Sequence, residues 1–330
     1  MIKSKRFKKL LCLLTATVIT ASLVGCGKST PKDGETTDNG GDDIEVSVVL
    51  KALNSDYWKI VEAGAKAAAT ELGVKVNVLG PNAETDIAGQ TSLMEDQIVK
   101  GVDALVVAPS QPSAAVTIFD KADEAKIPVF LIDTNADWDK KVSFIGTGNL
   151  IGGELGGNFI ADKLKAGDEV AIIRGALGDN THDQRVKGAQ EAMEAKGLKV
   201  ISVQPADSDR NKGMSVMENI LQTNPNVKAV YCSNDEMALG ASRALQQAGK
   251  KDVITVGFDG SPDALKAIQN GELTASVAQS AYNIGKYGVE AAVKHIKGEK
   301  VESVIDTGTE IIDTKNAKAK EDETNKMLGK

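Results

Sequence analysis

Histidine occurs twice and cysteine three times in the 330 residues of this chain, and aromatic residues make up only 4%. His182 and His295 are too few for a His-rich metal centre, and no multi-Cys metal spacing is present. The Gly-x-Ser-x-Gly elbow of serine hydrolases is missing as well. His295 lies between Lys294 and Lys297 on a late helix, where a solvated face is expected, and His182 reads as a rim residue rather than a general base. Basic charge is also short: 39 Lys and Arg stand against 46 Asp and Glu, for a net charge of −7. The apolar stretch Leu10 to Val24 is about 15 residues, short of the ~20 that a spanning helix needs.

That stretch follows Lys3, Lys5, Arg6, Lys8 and Lys9 and ends in Leu23-Val24-Gly25-Cys26, the layout of a secretory signal closed by a bacterial lipobox. Residues 1–25 are therefore expected to be a lipoprotein signal peptide, with cleavage before Cys26 and diacylglycerol on its sulfur. Residues 26–43 contain almost no apolar side chain and read as a lipid-anchored flexible tether. Removing the five basic groups of the signal, which carries no acidic one, takes the net charge from −7 to −12. An acidic exported chain is poorly suited to nucleic acid, whose binding depends on neutralising phosphates. Cys12 leaves with the signal and Cys26 would be lipidated, so Cys232 stands alone and no disulfide can form within the mature chain. The roughly 290 remaining residues must rely on ordinary hydrophobic cores, and they suffice for two domains.

From Ile44 onward short β-rich runs alternate with helical patterns, the signature of parallel α/β sheets. Strands are predicted near 45–51, 74–79, 103–108, 128–132 and 142–145, with helices near 57–72, 87–100 and 114–125. The cycle restarts with a helix near 150–165. Strands follow near 169–174, 199–204, 227–232, 253–258 and 274–278, with helices near 184–197, 211–222, 235–248 and 262–270. A helix near 283–297, a strand near 303–306 and a polar tail complete the chain. Gly146, Gly148 and Gly152 follow a strand and open a helix, but their G-x-G-x-x-x-G spacing departs from the dinucleotide fingerprint. Close helix–strand packing near a crossover is the better reading, and no cofactor is expected.

Open α/β sheets bind ligands at the carboxyl ends of their strands. Those ends carry Lys51 with Tyr57 and Trp58, then Asp133, Arg174, Asn234 with Asp235, Phe258 with Asp259, and Gln279; the loop before the 184–197 helix adds Asn180, His182, Asp183 and Arg185. Carboxylates, amides and a few cations beside aromatics suit a polyhydroxyl ligand, because each sugar hydroxyl both donates and accepts. Asp133 and Asp259 can also be imagined as a glycosidase pair, but ionised acceptors are the better reading. Asn234 is expected to bond the ligand, with Asp235 capping its helix or bracing neighbours.

From about Ile44 to Asp313 the chain resembles the periplasmic sugar-binding proteins of ribose type, which are related to the effector domains of sugar-responsive repressors. The likeness rests on QPADSDRNKG (204–213), SNDEMALGASRALQQAGK (233–250), VGFDGSPDALKAI (256–268) and TASVAQ (274–279). It implies an α/β fold of two Rossmann-like, doubly wound parallel-sheet lobes joined by a three-crossover hinge, the type I periplasmic binding protein architecture. Crossovers would fall near 147–150, 279–282 and 307–310. Residues 44–148 plus 280–308 would form the N-terminal lobe and 149–279 plus 309–316 the C-terminal lobe, leaving 317–330 as a polar tail.

Carried over by position, the family's sugar contacts fall on Asp133, Arg185, Asn234, Asp259 and Gln279, with Tyr57, Trp58 and Phe258 as aromatic walls. Thr134 stands where ribose binders carry Arg, Ser208 where they carry an aromatic, and Ala108 where they carry a polar residue. Lys51 stands in place of a small hydroxyl and is similar to the allose-binding branch, so ribose, allose, psicose or a polyol all remain open. The resemblance implies a monomeric substrate-binding component of an ABC sugar importer, not an enzyme. It would be held on the outer face of the bacterial cytoplasmic membrane by the lipid on Cys26. Its partners would be a monosaccharide and the ABC permease with its ATPase; a sensor passing the closed state to a chemoreceptor or kinase is the alternative.

Overall fold

Apolar strands of four to seven residues need cover on both faces, and the chain provides it twice. A computed structural model describes residues 44–330; the expected signal peptide, Cys26 and tether lie outside the described residues. In the first half, β1 (Glu45–Val49), α1 (Asp56–Leu72), β2 (Lys75–Leu79), α2 (Ile87–Lys100), β3 (Ala104–Val107), α3 (Pro112–Glu124), β4 (Val129–Asp133) and β5 (Ser143–Gly146) follow in order. Next come α4 (Asn149–Ala161), β6 (Glu169–Arg174), α5 (Asn180–Ala195), β7 (Lys199–Pro205), α6 (Arg210–Thr223) and β8 (Ala229–Cys232). They are followed by α7 (Asp235–Gln247), β9 (Ile254–Asp259), α8 (Pro262–Gln269) and β10 (Ala275–Gln279). The chain ends in α9 (Ala281–Ile296), β11 (Val304–Asp306), β12 (Thr309–Ile312) and α10 (Ala317–Met327).

Two six-stranded sheets result, ordered β11-β5-β4-β3-β1-β2 and β12-β10-β9-β8-β6-β7. Each is the sheet of one α/β lobe. Every described pairing is parallel except β10 with β12. Side chains alternate between faces with the strand period of two. Phe130 and Ile132 join Val46 and Val48 beneath α1 and α9, while Val129 and Leu131 join Leu105 and Phe119 beneath α2 and α3. The second lobe repeats this: Ala171 and Ile173 face α6, α7 and α8, and Val170 and Ile172 face α4 and α5. Cys232 is buried in the former layer as a free thiol whose pKa burial pushes up.

Glycines let the helices lie against each other at backbone distance. A β-carbon at Gly285 of α9 would fall on the Val61 carbonyl of α1, and one at Gly64 on the Tyr282 carbonyl. Gly153 and Gly188 bring α4 and α5 together in the same way, as Gly213 and Gly240 do for α6 and α7. Gly152, part of the G-x-G-x-x-x-G run, has the Phe258 ring where its β-carbon would stand, at 2.8 Å.

The chain passes between the two sheets three times, at 147–148, 280 and 307–308. Two elements were not foreseen. β12 adds an antiparallel edge to the second sheet, and the segment expected as a polar tail contains α10. Ala317 at its start is buried in the second lobe's core, and Lys320 pairs with Glu310 at 2.8 Å. Just past its end, Leu328 packs against the first lobe's core, so this helix touches both lobes. Polar Lys320 and Thr324 occupy the middle of its inward stripe, which hides the helical period from an apolar pattern. None of the described helices is long and apolar enough to cross a membrane.

The α1–α9 contact leaves no room for a methyl group. Gly285→Ala is expected to lower unfolding stability by about 1–3 kcal/mol, the usual cost of overpacking, in urea titration. An unchanged midpoint would show that the two helices separate freely.

Candidate functional site

The carboxyl ends of both sheets face one cleft. β4 and β9 hold equivalent third positions in their sheets, and each ends in an aspartate with positive φ: +61° at Asp133 and +126° at Asp259. Such backbone is costly for a non-glycine residue and tends to persist where a side chain must be aimed at a site. Both carboxylates are buried. Asp133 Oδ2 accepts the Tyr57 hydroxyl at 2.6 Å and Oδ1 accepts Thr134 Oγ1 at 2.8 Å. Asp259 Oδ1 accepts Gln279 Nε2 at 2.7 Å and Arg185 Nη1 at 3.4 Å.

Lys51, just past β1, is 2% exposed, with Nζ 3.7 Å from Asp133 Oδ1 and in direct contact with Asp179 Oδ2 of the opposite lobe. Burial works against the ammonium, but Asp179 and Asp133 more than offset it and hold its pKa above the ordinary lysine value. Tyr57 and Trp58 open α1 edge to face, ring centroids 4.9 Å apart, and Trp58 Nε1 donates to Glu84 Oε1 at 2.8 Å. Burial next to Asp133 drives the Tyr57 phenol pKa well up, so it stays a donor.

Arg185, in the second turn of α5, is locked on three sides. Nε donates to Asn149 Oδ1 at 2.9 Å, Nη1 donates to the Ser233 carbonyl at 3.0 Å, and the guanidinium lies 3.9 Å over the Phe258 ring. Phe258 is fully buried between Arg185 and Gly152, so it backs the guanidinium from behind. Gln279 ends β10 and also accepts Thr147 Oγ1 at 2.7 Å, joining two of the crossing segments. Asn234, rather than Asp235, caps α7: its Oδ1 accepts Met237 N–H at 3.0 Å, and no protein group bonds its Nδ2 among the described residues. Asp235 braces the loop instead, accepting Ser261 N–H at 2.8 Å and Ser276 Oγ at 2.7 Å; burial raises its pKa to about 7 against those bonds.

Two adjoining cavities, about 80 and 20 Å³, share Tyr57, Glu84, Asn234 and Asp259. The smaller is also lined by Lys51, Trp58, Asp133 and Arg185, so seven of the nine expected ligand residues line the cleft, while Gln279 and Phe258 stand behind Asp259 and Arg185. Sequence reasoning passed over Glu84, Asp179 and Thr181. Thr181 Oγ1 lies 2.6 Å from Thr134 Oγ1 across the cleft. Glu84 follows β2, and its position in the PNAETD loop at a strand's carboxyl end was the available signal. Asp179 caps α5, accepting Thr181 N–H at 2.9 Å, and was readable as the residue before a helix start.

His182 is not on the rim. It is 3% exposed, with Nδ1 2.8 Å from Ser233 Oγ and Nε2 3.1 Å from Ser208 Oγ. The sequence placed it before its helix, whereas α5 starts earlier and turns it inward. With Glu84 and Asp179 it forms a group of metal-type donors all within 4.8 Å of one another, but the Lys51 ammonium already sits on the Asp179 oxygen. Carboxylates outnumber cations in the cleft, and burial raises Asp259 well above the usual range, opposed by Arg185, and raises Glu84, opposed by Lys51.

A two-lobed α/β protein with a polar cleft at the strand carboxyl ends is the architecture of the extracytoplasmic binding proteins. Residues 46–300 match the periplasmic binding protein domain family, and the chain belongs to it. It is 40% identical over 258 residues to the ribose import binding protein of Salmonella typhimurium, covering 78% of this chain and 86% of that one. The D-allose-binding periplasmic protein of Escherichia coli is 39% identical over 267 residues, with the same coverages of 78% and 86%. Among solved structures, the carbohydrate transporter solute-binding protein of Agrobacterium radiobacter in complex with D-arabinose superposes with a TM-score of 0.82. It is 31% identical, and the match covers 87% of this chain and 99% of that one.

Burial depresses the pKa of His182 from 6.5 to about 3, with Asp179 opposing and Arg185, Lys51 and Arg174 adding to the effect. The folded ring then binds fewer protons than the unfolded one between those values. Its contribution to stability is full above pH 6.5 and is lost as pH falls toward 3. Urea unfolding at about pH 7 and about pH 5 should show a loss roughly 2 kcal/mol larger for the wild type than for His182→Gln. Equal losses would mean that the ring is protonated in the fold.

Proposed function

We propose that the protein is the extracytoplasmic substrate-binding component of an ABC sugar importer, taking a monosaccharide between its lobes. The observation that carries this is the convergence of Lys51, Asp133, Arg185, Asn234 and Asp259 from two lobes on one cleft. Asp133 and Asp259 would accept sugar hydroxyls, Arg185, Lys51 and the Asn234 amide would donate, and Gln279 would hold Asp259 in place. Tyr57 and Trp58 are the aromatic wall for the C–H face of the ring, with Phe258 supporting Arg185. A matched hydrogen bond is worth about 0.5–1.5 kcal/mol, whereas a buried group left unpaired costs about 1–3, so such a cleft distinguishes epimers more sharply than it gains affinity.

Hinge closure about the crossings at 147–148, 280 and 307–308 would trap the sugar and present a closed form to the permease. The lobes are residues 44–148 with 280–308, and 149–279 with 309–316. Ribose and allose are the first candidates because the relatives are named for them, and Lys51, similar at its position to the allose-binding branch, gives a hexose such as allose or psicose, or a polyol, weight comparable to ribose. The Cys26 lipid would anchor a monomer to the outer face of the cytoplasmic membrane, with residues 26–43 giving reach.

A thermal-shift panel of D-ribose, D-allose, D-psicose, polyols and NAD is the direct test on the purified full chain. One or two sugars should raise the Tm, because a ligand that binds only the native state stabilises it. Silence across every sugar, or a response to NAD alone, rejects sugar binding. Independently, Cys26→Ser should move the protein from the detergent phase to the aqueous phase on Triton X-114 partition and remove the lipid mass. Unaltered partition rejects the anchor.

A further inference from the structure

Lys51 has its tight partner on the wrong side of the cleft. In its own lobe the nearest carboxylate oxygen is Asp133 Oδ1 at 3.7 Å, and both Asp133 oxygens are already bonded, to Tyr57 and Thr134. The direct contact comes from Asp179 of the second lobe. Asp179 is itself fixed: its Oδ1 caps α5 at 2.9 Å from Thr181 N, which leaves Oδ2 for the ammonium. Both side chains are almost fully buried, at 2% and 3% exposed. His182 Nε2, 3.9 Å from Asp179 Oδ2, already has Ser208 Oγ at 3.1 Å, so the Asp179 charge is committed to Lys51.

An ammonium has three donors. Asp179 holds one, while Asp133 at 3.7 Å and Glu84 attract the charge without a hydrogen bond, so the bond to Asp179 sets the direction of the remaining donors. The Lys51–Asp179 contact and the Thr134–Thr181 contact beside it exist only while the lobes meet. We propose that Asp179 is a positioning residue for sugar recognition, aiming Lys51 at the ligand from the opposite lobe and thereby coupling the Lys51 contact to cleft closure. This rests on the reading that the cleft takes a sugar with Lys51 as a donor. Opening the cleft strips Lys51 of its tight partner, and closing restores it. The sugar is therefore gripped fully only in the closed form, without any movement inside the first lobe. The electrostatics agree in direction: Lys51, together with the Thr181 N–H, lowers the Asp179 pKa although burial alone would raise it.

The test is a double-mutant cycle in the full chain, titrating D-ribose and D-allose and following release by stopped flow. Asp179→Asn and Asp179→Ser both keep an oxygen that caps α5, so they remove the charge and spare the helix start. Each should weaken the tighter-binding sugar at least tenfold, mainly through faster release. In the Lys51→Met background the same changes should add nothing, because the side chain through which Asp179 acts is gone. Thermal unfolding without sugar checks that each variant folds, and Lys51→Gln replaces Lys51→Met if the latter does not. Losses that multiply in the double variant, or wild-type affinity in Asp179→Asn, overturn the assignment while leaving the sugar reading intact. If neither sugar binds the wild-type chain, the cycle is run with whichever sugar or polyol of the thermal-shift panel does; if none binds, the sugar reading falls and the role of Asp179 falls with it.

Discussion

A lysine ammonium cannot be buried without carboxylates, and in this protein the carboxylates around Lys51 come from both lobes. Asp133 and Asp179 surround it, as Asp259 and Gln279 organise the side of Arg185. Lys51 thus ties the first lobe to the second, whereas Arg185 joins strand ends within the second sheet. Breaking such a pair leaves an uncompensated charge, which is far costlier than the pair's own net worth. The cleft is consequently a joint as well as a binding surface, and its geometry depends on how the lobes meet.

The rest of the architecture keeps that joint rigid up to its edges. The cations are held from behind, Arg185 by Asn149, Ser233 and the Phe258 ring, so its guanidinium has little rotamer freedom to lose on binding. Glycine contacts clamp α1 to α9 and α4 to α5, placing the starts of α1 and α5 where Tyr57, Trp58 and Arg185 project. Against these rigid lobes, the three crossings are short. α10 adds a fourth connection, with its ends in different cores. It lies beside the cleft as well: Thr324 and Met327 share a small cavity of about 30 Å³ with Tyr57 and Asp259.

Much of this was legible before any coordinates. Apolar runs such as Ala104–Val107 and Val129–Asp133, broken by helical periods, specify doubly wound sheets. A doubly wound sheet in turn puts every strand-end polar residue at one edge. Asp133, Asn234, Asp259 and Gln279 stand out in the sequence for that reason. Local pattern failed where the partner was distant. Asn234 and Asp235 are adjacent and chemically alike, and only the place of Ser261 and Ser276 assigns the brace to Asp235 and leaves the cap to Asn234. His182 reads as polar and exposed until Ser208 and Ser233 are seen to enclose it. The stripe of α10 is half polar, so no hydrophobic period announced it.

The sequence by itself determined the two repeated βα units, the families of side chains at the strand ends and the excess of acid over base, because each depends on local periodicity or composition. Tertiary structure alone decided that Lys51 is held by Asp179, 128 residues away, that Phe258 stands behind Arg185, and that α10 touches both cores. The reason is physical. A strand's period is written in neighbouring residues, but the partner of a buried charge is whichever group the folded backbone brings within reach, and no local pattern encodes that distance.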